Sequence, residues 1–277
     1  MVGPSEDGTA GGEDRSFVIA SATVAPPPLC VGRGSTGFGS SREAMDCAAV
    51  IVAAGRGERL GGPTRKALVP LGGRPMLAHS LETFAGCPSI RQIVLVVHAG
   101  DLESASNGEL GQVLEPFRPV TVVPGGARRQ DSVRCGVEAV RAEIGGVLVH
   151  DAARPFVGAE LIERLSRGLD TFEAALPVVP VTSTVKRVTS DGLVDRTVPR
   201  ETLRLAQTPQ AVRRDFLLTA LRWADRDGEE VTDEAQAVER ARGRVICVDD
   251  SPRNFKITNA FDLEIARLML GVREVSE

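Results

Sequence analysis

Three arginines, one lysine and four glycines fall within twelve residues, Gly55-Arg56-Gly57-Glu58-Arg59-Leu60-Gly61-Gly62-Pro63-Thr64-Arg65-Lys66. Glycine lets backbone N–H groups approach an anion closely, and the cations supply opposite charge, so the chemistry this stretch suits is phosphate binding. Two common phosphate loops do not fit. The dinucleotide fingerprint needs a third glycine where Leu60 stands, and no Gly-Lys-Ser/Thr closes the stretch as a Walker loop would. What remains is Gly55-x-Gly57-x-Arg59, with Lys66 seven residues further on and Ala53-Ala54 leading in.

Further stretches carry residues of the same chemical kind. In Gly125-Gly126-Ala127-Arg128-Arg129-Gln130-Asp131-Ser132, two glycines and two arginines run into a helix start. That suits an anion or the edge of a base; it equally suits a plain helix entry capped by Asp131 or Ser132. In His150-Asp151-Ala152-Ala153-Arg154-Pro155, Asp151 ends an apolar run, a good position for a carboxylate that holds Mg²⁺, and Arg154 can pair with a phosphate. The alternative is a local Asp151–Arg154 ion pair. Val231-Thr232-Asp233-Glu234-Ala235 reads as a helix start capped by Thr232 or Asp233, or as a substrate contact. Asn254-Phe255-Lys256-Ile257-Thr258 reads as a short strand in which Lys256 is a functional cation or a solvated edge charge.

The elements that must position these residues alternate. Apolar runs at Cys47–Ala53, Gln92–His98, Val120–Val123, Val147–His150 and Ala174–Val179 predict strands. Helical patterns at Pro75–Phe84, Arg129–Glu143 and Ala159–Thr171 lie between them, and later ones at about Arg213–Asp225 and Asn259–Leu270, with a further strand at Arg244–Val248. The fold class is therefore α/β, a Rossmann-like, mostly parallel sheet with helices on both faces. Ligands of such sheets bind beyond the carboxyl ends of the strands, so the loops after Ala53, Val123 and His150 should converge on one crevice. Thr184–Val188 and Leu193–Val198 flank Ser190-Asp191-Gly192 as a β-hairpin. Coming after the main sheet, it should protrude as an arm (about 183–208) whose edges pair with a second copy in a two-fold dimer.

Composition narrows the possible partners. A chain of 277 residues with net charge −4 has no global basic field for nucleic acid, and no apolar run is long enough to span a membrane. Five scattered cysteines without a Cys-x-x-Cys pair fit reduced thiols and a cytoplasmic setting. Residues 1–45 are rich in Gly, Ser, Pro and Thr and contain Pro26-Pro27-Pro28, which predicts disorder. Glu6, Asp7, Glu13 and Asp14 argue against a secretory or transit signal. The domain is expected to begin at about Met45 and to run over residues 46–273.

Taken in order, Ala-Ala-Gly-x-Gly-x-Arg, Gly-Gly…Asp-Ser-Val, Val-His-Asp-Ala-Ala-Arg-Pro, Gln-Thr-Pro-Gln, Val-Thr-Asp-Glu-Ala and Asn-Phe-Lys-Ile-Thr resemble the 2-C-methyl-D-erythritol 4-phosphate cytidylyltransferases of the non-mevalonate isoprenoid pathway. The resemblance covers about residues 46–271. It implies a nucleotidyltransferase that joins CTP and methylerythritol phosphate and uses Mg²⁺ or another divalent cation. It implies that Arg59 and Lys66 offset charge on the triphosphate, that Asp151 lies near the metal and the ribose-phosphate region, and that Ser132 with Gly125-Gly126 reads cytosine. Arg154, Thr184 and Lys256 correspond to contacts with the acceptor, with Thr232 nearby, and Lys256 and Arg200 join the catalytic set. Arg200 and Thr208 correspond to residues that the arm carries into a partner subunit's site, which implies a homodimer. The family usually has Pro where Arg65 stands and a polar residue at Ala67, so how Lys66 is held, and whether Arg65 shares its work, are questions for the structure.

Overall fold

The computed structural model describes residues 45–55 and 65–271, all within the compact unit Glu43–Glu277. The expectations for residues 1–44, and for Gly57 and Arg59, lie outside the described residues. In chain order the first elements are β1 (Cys47–Val52), β2 (Pro70–Leu71), β3 (Arg74–Pro75), α1 (Met76–Ala85) and β4 (Ile90–Val97). Then come α2 (Leu102–Asn107), α3 (Glu109–Leu114), β5 (Val120–Pro124), α4 (Arg129–Glu138), β6 (Gly146–Asp151), α5 (Ala159–Gly168) and β7 (Ala174–Pro180). β8 (Val185–Val188), β9 (Val194–Val198), β10 (Arg204–Ala206) and β11 (Gln210–Arg213) precede α6 (Arg214–Arg226), α7 (Glu234–Arg240), β12 (Val245–Asp249) and α8 (Ala260–Met269).

Side chains alternate across a strand, and a strand apolar at every position must be covered on both faces. β1 meets that condition. Cys47, Ala49 and Ile51 join the core on one face, while Ala48 and Val50 join the core on the other. The first core is closed by α1, α3 and α5 through Leu77, Leu81, Phe84, Leu114, Leu161 and Leu165. The second is closed by α4, α6 and α7 through Val133, Val137, Leu217, Leu221 and Val238. The main sheet runs β10-β7-β11-β6-β1-β4-β5, with β12 also on β7. Its β6, β1, β4 and β5 pair in parallel, whereas β11, inserted between β6 and β7, and β10, at the end of the order on β7, pair antiparallel.

Several boundaries differ from expectation. α4 ends at Glu138 and α5 at Gly168, each short of its apolar pattern, because Val140 and Leu169 stay buried in the turns that follow. The strand expected at Asn254–Thr258 is absent. That segment is tied to the Asp151 loop by one backbone bond, Ile257 N–H to the Ala153 carbonyl at 2.9 Å, which is too little for a ladder. β8 and β9 form their own two-stranded sheet around a turn in which Gly192 has φ +86°, leaving Val188, Leu193 and Val194 exposed. The arm is shorter than expected at its far end, because β10 is already back in the main sheet against β7.

Candidate active site

The parallel strands open on a cavity of about 770 Å³ at their carboxyl ends. Its walls are Ala53, Ala54 and Gly55 after β1, Gly126 to Arg129 with Ser132 after β5, and Asp151 at the end of β6. Lys66, from the turn that follows the β1 loop, and Lys256, from the segment before α8, complete it. The three loops expected to converge do so.

The charged residues on this wall form a chain of alternating sign. Lys256 Nζ lies 2.8 Å from Asp151 Oδ2, and Arg129 Nη2 lies 3.5 Å from Asp151 Oδ1. Burial by itself would raise the Asp151 carboxyl, but Lys256 and Arg129 outweigh it and hold the group well below the usual carboxylate range. Arg129 in turn gives both ends of its guanidinium to Glu234, Nη1–Oε1 at 2.6 Å and Nη2–Oε2 at 3.2 Å. The attraction of Glu234 raises Arg129 further and keeps it charged. Arg128 is occupied as well, at 2.7 Å from both Asp131 and Asp225. Of the two readings of this loop, the helix entry is thus realised by Asp131, whose Oδ2 accepts the Arg128 N–H at 3.1 Å. Ser132 does not cap; its hydroxyl oxygen accepts the Gly126 N–H at 3.1 Å and braces the glycine turn from within.

Beneath Asp151 lies a second network, centred on the buried side chains of His150 and Thr208. The Asp151 N–H donates to Thr208 Oγ1 at 3.1 Å, and Thr208 Oγ1 lies 3.1 Å from His150 Nδ1. His150 Nε2 lies 3.0 Å from the Arg154 carbonyl, which can only accept. The ring proton therefore sits on Nε2, and Nδ1 accepts from the Thr208 hydroxyl. Burial lowers the His150 pKa to about 4, so the ring is neutral.

Lys66 lines the cavity, and its charge also lowers the Asp262 carboxyl at the start of α8. A family model described as 2-C-methyl-D-erythritol 4-phosphate cytidylyltransferase (IspD) matches residues 47–272. The chain belongs to this cytidylyltransferase family. It is 42% identical over 225 residues to the 2-C-methyl-D-erythritol 4-phosphate cytidylyltransferase of Frankia casuarinae, covering 81% of each chain. It is 43% identical over 233 residues to the bifunctional enzyme IspD/IspF of Rhodopseudomonas palustris, covering 82% of this chain and 57% of that protein. The crystal structure of the Thermus thermophilus 2-C-methyl-D-erythritol 4-phosphate cytidylyltransferase matches with a TM-score of 0.66 at 33% identity, over 82% of this chain and 100% of that one.

The remaining residues singled out in the sequence fall in different places. Thr208 is not on the arm: it is 4% exposed, and its hydroxyl supports Asp151 in its own chain. Arg154 forms no ion pair with Asp151; its Nη1 donates to the Asn254 carbonyl at 2.8 Å. Thr184 and Arg200 are exposed on or beside the arm, Arg200 donating to the Thr182 carbonyl. Thr232 is exposed outside the cavity, and Asp233 is the cap of α7, accepting the Gln236 N–H at 2.8 Å. Two contributors escape sequence reasoning. Glu234 is hidden inside a capping motif, and its partner lies 105 positions away. His150 carries no metal-ligand spacing, although its place one residue before Asp151 is a usable signal.

Proposed function

We propose that this cytidylyltransferase attaches the cytidylyl group of CTP to 2-C-methyl-D-erythritol 4-phosphate, releasing pyrophosphate, in isoprenoid precursor synthesis. The observation that carries this is the meeting of Ala53-Ala54-Gly55 after β1, Lys66, Gly126 and Asp151 on one cavity in a chain of that family. An oxygen of the acceptor monoester attacks the α-phosphorus, the bond to the bridging oxygen breaks, and pyrophosphate carries the electrons away. The second pKa of a monoester is about 6, so near neutral pH the nucleophile needs no general base. The work left to the protein is to bring two anions together in line and to stabilise the charge that grows between them.

Lys66 is assigned to the triphosphate, together with Arg59, which lies outside the described residues. Ala53, Ala54, Gly55 and Gly57 belong to the same phosphate loop. Gly125, Gly126 and Ser132 are assigned to the base, and Arg129 to the nucleotide side. Lys256 and Arg154 are assigned to the acceptor, with Thr232 at its margin. Thr184 and Arg200 act from the β8–β9 arm of a second copy, making the enzyme a homodimer; Thr208 stays in its own subunit as a support. Residues 1–45 are a dispensable extension of a domain at 46–273, and the setting is cytoplasmic; no described helix is long and apolar enough to cross a membrane.

A divalent cation suits Asp151. Among the described residues no three His, Cys, Asp or Glu side chains stand together, so a cage made only of protein is not available. Mg²⁺ rarely needs one, since a carboxylate, waters and substrate phosphates suffice, and the ionised Asp151 already holds the ammonium of Lys256 at 2.8 Å. When bound, the ion offsets charge on the phosphate oxygens. The test is pyrophosphate release from CTP with methylerythritol phosphate or ribitol 5-phosphate as acceptor. Turnover with the first and little with the second is expected; preference for ribitol 5-phosphate, or CTP binding without turnover, overturns the assignment.

A further inference from the structure

Arg65 stands immediately before Lys66, yet its side chain leaves the large cavity. Its Nε lies 3.1 Å from Asp101 Oδ1, beside a separate small cavity of about 40 Å³ lined by Ala67, Leu68, Ser104 and Leu110. Asp101 ends the short turn Ala99–Asp101 that follows β4, and the residue opening that turn, His98, lines the large cavity. The ion pair therefore ties the strand-end loop of β4 to the turn that carries Lys66.

The backbone at this point is fixed in a specific way. Arg65 has φ −56° and ψ 133°, and its carbonyl accepts the Leu68 N–H at 2.8 Å to close the turn Lys66–Leu68. A φ of −56° lies inside the range that a proline ring would impose. Here an ordinary, freely rotating residue holds that conformation, with its side chain anchored 36 positions away in sequence. We propose that Arg65 is a positioning residue: its ion pair with Asp101 holds the turn in which Lys66 faces the cavity, and the guanidinium does not itself meet substrate. This rests on the reading of Lys66 as a triphosphate contact.

The pair is partly solvated, with side-chain exposures of 37% and 22%, so its effect is that of a surface ion pair. The experiment compares Arg65→Ala, Asp101→Asn, the double variant, Arg65→Pro and Lys66→Ala in steady-state kinetics, with thermal unfolding as a control for folding. Arg65→Ala and Asp101→Asn should each lower kcat about two- to fivefold, with KM for CTP little changed. The double variant should be no worse than either single one, as expected of residues acting as a unit. Arg65→Pro should recover most of the loss, because the ring supplies the restraint that the ion pair gave. Rising salt should narrow the gap between wild type and Arg65→Ala.

Additive losses, an Arg65→Pro variant as poor as Arg65→Ala, or a raised KM for CTP with unchanged kcat each overturn the proposal; the last would make Arg65 a phosphate ligand. Lys66→Ala separates the two readings. Wild-type turnover in Lys66→Ala refutes the site assignment itself. A large loss there, with Arg65→Ala and Asp101→Asn silent, refutes only the role of Arg65.

Discussion

Glu234 and Arg129 meet fork to fork, at 2.6 and 3.2 Å, and the two ends of the pair are unequally buried: the carboxylate side chain is 2% exposed and the guanidinium 29%. Breaking the pair from opposite sides should therefore give different results. Arg129→Met strands a charge in the interior, a loss of about 3–5 kcal/mol when the group cannot neutralise. Burial raises the Glu234 carboxyl, so part of that penalty is relieved by proton uptake. Glu234→Gln instead leaves a guanidinium that still reaches solvent and Asp151, and should cost about 1–2 kcal/mol. Urea unfolding of the two variants at neutral pH checks the order; equal losses would mean that the pair is not the unit described.

The Thr208 hydroxyl satisfies two buried groups, the Asp151 N–H and His150 Nδ1. Thr208→Val keeps the shape and orphans both, which should lower stability by about 1–3 kcal/mol and reduce turnover, while Thr208→Ser should keep most of each. Thermal unfolding and kcat are the measurements. A purely apolar role for Thr208 would make the valine variant the better one.

His150 sets a pH dependence of stability. Its folded pKa of about 4 lies below the ordinary 6.5, so between those values the unfolded chain binds the extra proton. Its contribution is complete above about pH 6.5 and is lost as pH falls towards 4, amounting to about 2 kcal/mol between about pH 7 and 5. Unfolding free energies of wild type and His150→Gln across that interval test it. The variant should start less stable and fall less steeply.

The turn at Gly126 leaves no room for a side chain. A Cβ there would lie 2.4 Å from the Asp131 Cβ, and Asp131 is the residue that accepts the Arg128 N–H at the start of α4. Gly126→Ala should lower stability by about 1–3 kcal/mol and raise KM for CTP, since the cavity wall moves with the helix start. Gly158, also at a helix start but with nothing within 4 Å of a Cβ, is the control. Gly158→Ala should cost only the exchange of glycine for alanine at a helix cap, about 0.5–1 kcal/mol, and leave KM for CTP unchanged.

The contrast between what was and was not legible follows from range. Strands β1, β4 and β6 were readable because a strand covered on both faces is a continuous apolar run, and the loops at their carboxyl ends had to meet. β11 was not readable: Gln210-Ala211-Val212-Arg213 shows no alternation, and only its insertion between β6 and β7 makes it a strand. Asp151 stands out in the sequence because a carboxylate that ends an apolar run falls at a strand end. Partnerships spanning a hundred positions, Arg129 with Glu234 or Arg154 with Asn254, leave no local pattern. Thr208 was misplaced for the related reason that Gln-Thr-Pro-Gln looks like a loop emerging from the arm, whereas β10 has already rejoined the sheet by then.

Lys66 and Lys256 stand on one cavity but on separate supports, and their loss should show in different kinetic constants. Lys66 belongs to the turn after the glycine-rich loop; with the proposed assignment to the triphosphate, it meets the additional charge that grows as the α-phosphorus is attacked, and a group acting there acts mainly in the transition state. Lys66→Ala should lower kcat about a hundredfold or more, with a smaller change in KM. Lys256 is anchored through the Ile257–Ala153 backbone bond next to Asp151, and its proposed role is toward the acceptor. Lys256→Ala should raise KM for the acceptor more than it lowers kcat, because binding of the monoester is lost while the nucleotide loops are untouched. It also leaves Asp151 with Arg129 at 3.5 Å as its nearest cation, so the carboxyl should titrate at a higher pH than in wild type. Separate saturation curves for CTP and acceptor, with each variant, provide the check. A collapse of kcat alone in Lys256→Ala would move that lysine from the acceptor to the reacting phosphorus.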